Sequence, residues 1–166
     1  MRAFVEPYAA RPAGISFRAA ADSDRAFLCA LYAATRRDEL APVPWPDDAK
    51  QAFLAEQFEL QDRHYRANYP GADLLVIERD AVPVGRVYVY RSPGEIRLMD
   101  IVLLETERGR GLGSALLAEL LDEARATRAS ITLHVEPDNP AQRLYARLGF
   151  RLIEDRGVYH FLGWSP

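Results

Sequence analysis

The segment with the sharpest chemical implication is Arg108-Gly109-Arg110-Gly111-Leu112-Gly113. It follows a run that reads as a strand, Glu95 to Leu104, and opens a helix-patterned run from Arg110 to about Thr127. Alternate glycines let the backbone approach a ligand closely and turn consecutive N–H groups outward. A helix N-terminus adds roughly half a positive charge. The segment therefore has the makings of a phosphate cradle, with Arg108 and Arg110 as flanking cations. A turn that merely needs glycine fits these six residues equally well. Two phosphate-binding patterns are disfavoured. There is no Gly-Lys-Ser/Thr, and the G-x-G-x-G spacing comes late in the chain rather than as G-x-G-x-x-G at a first strand–helix turn.

A second element follows the next strand: Asn139-Pro140-Ala141-Gln142-Arg143-Leu144-Tyr145-Ala146-Arg147-Leu148-Gly149-Phe150. Here the chain resembles the GNAT superfamily of acyl-CoA-dependent N-acyltransferases. The family's R/Q-x-x-G-x-G/A motif is met by Arg108, Gly111 and Gly113. Its later N-x-x-A/S-x-x-L/F-Y-x-x-x-G-F motif is met by Asn139, Leu144, Tyr145, Gly149 and Phe150. One position departs, since the small residue falls at Ala141 and Gln142 stands in its usual place. The order of elements over residues 15 to 164 agrees as well.

The resemblance implies acetyl-CoA as cosubstrate, direct attack of an amine on the acetyl thioester, and no metal. It implies a binding surface made of Ile101, Val102 and Leu103 on the central strand, Arg108, Gly109, Arg110, Gly111, Leu112, Gly113 and Ser114 in the loop, and Asn139 and Tyr145 beyond it. Tyr145 falls where the family often places a general acid near the sulfur. A phenol suits that task because it stays protonated at neutral pH yet can donate. From the pattern alone, an amphipathic core tyrosine reads as well. The acceptor would be a small-molecule or peptide amine, and a homodimer would accord with family habit. A module of this fold that senses acyl-CoA without turnover is the alternative reading.

The central strand carries its own hint. Ile96 and Leu98 are apolar in one phase, Ile101 and Leu103 in the other. A one-residue bulge near Met99–Ile101 would reconcile them, and bulges collect at active sites. A strand buried on both faces accounts for the pattern equally well. The resemblance favours the bulge, with the strand splaying from a parallel neighbour and its backbone N–H groups free to hold a carbonyl. Three groups are candidates for the base: Asp100 at the bulge, Glu39 in the loop between the first two helices, and His134 on the strand facing the splay. Each also reads as ordinary structure or solvated surface. His64, Tyr65 and Tyr69 stand where they could line the acceptor side.

The elements that must position these groups follow from periodicity. Residues 1–14, with Pro7 and Pro12, read as a loose arm, and residues 15–166 as one domain. Ile15 to Ala19 alternates as a strand. Asp22-Ser23-Asp24 starts a helix that should end near Arg36 or Arg37. Pro42, Pro44 and Pro46 break the chain, placing Glu39 and Trp45 in a loop. Asp47-Asp48 starts a second helix to about Asn68. Strands are expected at Leu74–Ile77, Val84–Tyr90, Glu95–Leu104, Ile131–Val135, Phe150–Glu154 and Val158–Trp164, with a short helix over 140–148. The fold expected is α/β, a mixed sheet of about seven strands with a splayed parallel pair at its centre and four helices.

Composition narrows the partners. The chain has 166 residues and a formal net charge of −3, which does not suit a nucleic-acid binder. Its one lysine is Lys50, its other basic residues being arginines. No apolar run reaches the roughly 18 residues of a membrane span, and the N-terminus lacks the apolar core of a secretory signal. A cytoplasmic protein with one buried thiol, Cys29, is the expectation. His64, His134 and His160 are too scattered for a metal site.

Overall fold

Alternating apolar residues and proline–glycine breaks partition the chain into strands and helices, seen in a computed structural model that describes residues 2–166. The order is β1 (Ile15–Ala19), α1 (Arg25–Leu40), α2 (Asp47–Asn68), β2 (Asp73–Arg79), β3 (Val82–Ser92), β4 (Glu95–Leu103), α3 (Leu112–Thr127), β5 (Ser130–Val135), α4 (Ala141–Arg147), β6 (Arg151–Asp155) and β7 (His160–Trp164). Single 3-10 turns precede α1 and follow β4. Seven strands form one sheet in the order β1-β2-β3-β4-β5-β7-β6. All neighbours are antiparallel except β4 and β5. The expected mixed sheet with a parallel central pair and four helices is the fold observed.

The main core lies between the sheet and α3. Leu112, Leu116, Leu117, Leu120 and Leu121 recur at helical spacing and pack with Ile96, Leu98, Ile131 and Leu133 from the parallel pair. A second cluster joins α1 and α2 to the sheet through Leu28, Tyr32, Leu54, Phe58 and Val76. The helices thus cover both faces, which is why the central strands read as nearly continuous apolar runs. Among the described residues, no helix is long and apolar enough to cross a membrane.

Four expectations need correction. First, α1 runs on to Leu40, so Glu39 lies in its last turn and not in the loop. Arg36 and Glu39, at i,i+3, form an ion pair that suits helical geometry, and the chain breaks only at Pro42. Second, α3 begins at Leu112 rather than Arg110, because Gly109 and Gly111 take φ of 70° and 80°, which no α-helix contains. Third, β7 begins at His160 rather than Val158. Arg156 N–H donates to the Tyr159 carbonyl at 2.9 Å and Val158 N–H to the Arg156 carbonyl at 3.0 Å, so these residues form a tight turn.

The fourth concerns the N-terminal arm, whose first residue, Met1, lies outside the described residues. The arm has no regular element, yet it is docked and not loose. Ala3 and Phe4 are buried in the main core, with Phe4 against Phe17 at 4.9 Å between centroids. Their backbone N–H groups donate to Glu123 Oε2 and Glu119 Oε1, each at 2.7 Å. Arg11 and Arg91 complete the pairing of these two buried carboxylates, as buried charges require.

Candidate active site

The parallel pair opens where the chemistry was expected. β4 and β5 pair from Glu95↔Ser130 only as far as Leu98↔Leu133. On the other side of β4, Tyr88 is opposite Asp100 and Val89 is opposite Leu98. Met99 is therefore an extra residue, a bulge that bends β4 away from β5. Beyond it, Ile101, Val102 and Leu103 remain paired to β3 but have lost β5 as a partner. Their outer edge is left open toward the gap.

At the far end of β4 stands the glycine loop. Gly111 is the residue before α3, and the first intrahelical bond runs from Ala115 N–H to the Gly111 carbonyl at 3.0 Å. The N–H groups of Leu112, Gly113 and Ser114 precede it and have no helical acceptor. Nothing lies within 4 Å of the point where a Cβ would stand on Gly109 or Gly111. The loop is thus an open, donor-lined concavity whose positive φ values other residues resist. Arg108 Nε turns back to the Leu103 carbonyl at 3.2 Å, and Arg110 Nη1 lies 3.6 Å from Glu107. Glu107 is buried and bonded to Arg79, which holds its carboxyl below the usual range. The negative charge under the loop is therefore compensated. Leu112 is buried and anchors the helix, whereas Ser114 is exposed.

A cavity of about 460 Å³ fills the splay. One wall is β4 from Arg97 to Ile101 and another is β5 from Leu133 to Val135, with Glu136 just beyond its end. Asn139 and Tyr145 close one side, and Gln61, His64, Tyr65, Tyr69 and Tyr159 the other. A larger groove of about 830 Å³ between α1 and α2 shares none of these residues and is lined largely by alanines with Leu40 and Leu54.

Tyr145 is buried on α4 with its ring edge-on to Phe150 at 5.6 Å, and none of the described residues accepts a hydrogen bond from its hydroxyl. Burial raises its pKa, and the charges of Asp100 and Glu136 raise it further. The phenol therefore holds its proton at neutral pH. Tyr65 is similarly raised, by burial and then by Asp100, and its hydroxyl donates to the Met99 carbonyl at 3.4 Å. That bond touches the bulge itself.

The three candidate bases fare differently. Asp100 lines the cavity but is bound to the buried Arg86, whose Nε donates to it at 2.8 Å. His134 also lines the cavity, stacked on Phe161 at 4.8 Å. Arg156 Nη1 lies 2.9 Å from its Nε2. A guanidinium can only donate, so that nitrogen's lone pair is occupied. Partial desolvation of the ring, with Arg97 and Arg156 nearby, lowers the His134 pKa. Glu39 is outside the cavity, 56% exposed and paired with Arg36 at 2.7 Å. Trp45 sits edge-on to Phe53 at 5.4 Å and is likewise absent from the lining.

Asn139 uses both ends of its amide within the protein. Its Oδ1 accepts from Ala141 N–H at 2.9 Å, starting α4, and its Nδ2 donates to Glu136 Oε2 at 3.1 Å. Gln142, the departure from the expected motif, donates to the carbonyls of Glu136 and Pro137 at 2.9 and 3.0 Å. It locks the turn that leads from β5 to α4. Glu136 was not singled out by sequence reasoning. The available signal was an acid directly after the apolar strand Ile131–Val135 and three residues before Asn139. Among the described residues, no group of three or more His, Cys, Asp or Glu is arranged to hold a metal ion.

The profile of the Acetyltransferase (GNAT) family matches residues 16–150. L-2,4-diaminobutyric acid acetyltransferase of Nocardia farcinica is 37% identical over 105 residues, 55% of this chain and 54% of that protein. The chain spans about half the length of the curated relative it matches. Among solved structures, the PaiA N-acetyltransferase of Thermoplasma acidophilum in complex with coenzyme A superposes with a TM-score of 0.67 at 15% identity, covering 92% of this chain and 99% of that one. Arabidopsis thaliana Naa50, in complex with the bisubstrate analogue CoA-Ac-MVNAL, gives 0.59 at 20% identity, covering 92% and 99%. At these identities the two structures show a common fold.

Proposed function

The chain belongs to the acetyltransferase (GNAT) family, and from that premise we propose that it transfers an acetyl group from acetyl-CoA to a primary amine. The observation that carries this reading is the junction of three features at one gap: the splay beyond Leu98↔Leu133, the open glycine cradle at its outer end, and the Tyr145 hydroxyl inside it. A long ligand with a phosphate at one end and a reactive carbonyl at the other matches that layout.

The residues fit acetyl-CoA. The cradle from Arg108 to Ser114 would receive the pyrophosphate, because the N–H groups of Leu112, Gly113 and Ser114 have no helical acceptor and a Cβ on Gly109 or Gly111 would stand in the open space. When bound, acetyl-CoA supplies a thioester whose carbonyl carbon a neutral amine can attack. The open edge of Ile101–Leu103 would position the pantetheine chain and hold the carbonyl oxygen by backbone N–H donation. Tyr145 lines the cavity and keeps its phenolic proton at neutral pH. Its raised pKa exceeds that of an ordinary thiol, near 8.5, so it stabilises a departing thiolate chiefly as a hydrogen-bond donor.

The second substrate would enter past His64, Tyr65, Tyr69 and Tyr159, on the side away from α4. The Nocardia relative's name makes 2,4-diaminobutyrate the first acceptor to try, and the size of the cavity suits a small molecule. The test is release of free thiol from acetyl-CoA in the presence of amines, beginning with 2,4-diaminobutyrate and 1,4-diaminobutane. Acceptor-dependent release supports the reading. Coenzyme A binding without release for any amine would leave a binding module instead.

A further inference from the structure

Two carboxylates line the cavity, and they differ in one respect. Asp100 is neutralised by Arg86. Glu136 takes a single neutral hydrogen bond, from Asn139 Nδ2 at 3.1 Å, and no described Arg, Lys or His is within ion-pair distance of it. A carboxylate facing a cavity with only a neutral partner retains most of its capacity to attract a cation.

Its position is held from three directions. Glu136 is the residue after β5, at the open end of the splay. Its carbonyl accepts from Asn139 N–H at 3.1 Å and from Gln142 Nε2 at 2.9 Å, so the backbone is fixed. Asn139 then orients the carboxylate. Its charge reaches both phenols that bound the cavity at this end, since it contributes to the raised pKa of Tyr145 and of Tyr159. Tyr145, on the thioester side, Tyr159, on the entrance side, and Glu136 all line the same cavity.

We propose that Glu136 is the catalytic carboxylate that receives the acceptor, and that the acceptor is a primary alkylammonium. This rests on the acetyltransferase reading above. The aromatic entrance suits such a cation, since Tyr65, Tyr69 and Tyr159 offer ring faces and edges there. Glu136 pairs with the ammonium and takes one of its protons, freeing the nitrogen lone pair. The new C–N bond forms as the C–S bond breaks. Of the two protons the nitrogen loses in all, one passes through Glu136 to solvent and the other ends on the sulfur of coenzyme A.

Glu136→Gln keeps the shape and can still accept from Asn139, so it isolates the charge. The comparison is between 1,4-diaminobutane, a dication at neutral pH, and hydroxylamine, which is mostly uncharged there and needs no carboxylate. The expected result is a fall in kcat/KM of about 10²-fold for the diamine, the lower end of general-base contributions. The hydroxylamine rate and the dissociation constant of acetyl-CoA should stay within about twofold, and Glu136→Asp should recover part of the diamine rate. Equal losses with both acceptors would make Glu136 structural and overturn the proposal, as would an unchanged diamine rate. If the wild-type protein released no thiol with these acceptors, with 2,4-diaminobutyrate or with any other amine, the acetyltransferase reading itself would fail, and this inference with it.

Discussion

Arg86 donates through Nε to Asp100 at 2.8 Å, from a guanidinium side chain only 2% exposed to a carboxylate 21% exposed. The bulge at Met99 sets this pair. It brings Asp100 opposite Tyr88, two residues from Arg86 and on the same face of the sheet. Gln61 on α2 accepts from the same guanidinium at 2.8 Å, so the pair also fastens α2 beneath the cavity. Removing one partner of a buried pair leaves an uncompensated charge, at a cost of about 3–5 kcal/mol. Asp100→Asn should therefore lower the urea midpoint by a corresponding amount. A loss below about 1 kcal/mol would show that the pair is not held as described.

Tyr145→Phe keeps the ring against Phe150 and removes only the hydroxyl. With an acceptor for which chemistry limits turnover, kcat should fall on the order of 10²-fold while the Michaelis constant for acetyl-CoA changes little. Steady-state kinetics by thiol release checks this. An unchanged kcat would make Tyr145 a packing residue of α4.

The arm is predicted to be part of the core. Phe4→Ala removes a ring 4% exposed against Phe17 and should cost about 3 kcal/mol by chemical denaturation. A loss of a few tenths of a kcal/mol would mean that the arm is separable from the fold.

Asp24 provides a pH signature. Arg18 grips it through two hydrogen bonds at 2.7 and 2.8 Å, and Ala21 N–H donates to it at 2.8 Å. These contacts lower its pKa from the ordinary 3.8 to about 2. A depressed carboxylate stabilises the folded state above its unfolded pKa, and that contribution is lost as pH falls through the folded value. The Tm gap between wild type and Asp24→Asn should therefore be largest near neutrality and shrink between about pH 4 and pH 2. A gap that stays constant over that range would contradict the assignment.

The sequence made the centre of the molecule readable and left its edges obscure. The glycine loop and the Asn139–Phe150 segment are local, with each residue's neighbours in sequence also its neighbours in space. The slip in apolar phase at Met99 fitted a bulge and a strand buried on both faces equally well, and the resemblance favoured the bulge that the β3–β4 register shows. What escaped notice was non-local. Glu119 and Glu123, one helical turn apart on a leucine-rich helix, needed partners more than 100 residues away in the arm. Glu39 was placed outside a helix because the prolines behind it weigh more in a local reading than its ion pair with Arg36. Glu136 carries no motif, and its importance appears only when Asp100 and His134 are seen to be committed to arginines.

The central claim is that the loop from Arg108 to Ser114 binds coenzyme A, and isothermal titration of coenzyme A into the wild type and Gly111→Asp tests it most directly. An aspartate there would put a side chain and a negative charge into the open concavity, at a φ of 80° that disfavours it. Wild type should bind, and the folded variant should bind at least about tenfold more weakly, the loss expected for one charged contact. Equal affinity in the two proteins, with the variant's fold confirmed by circular dichroism, would contradict the account.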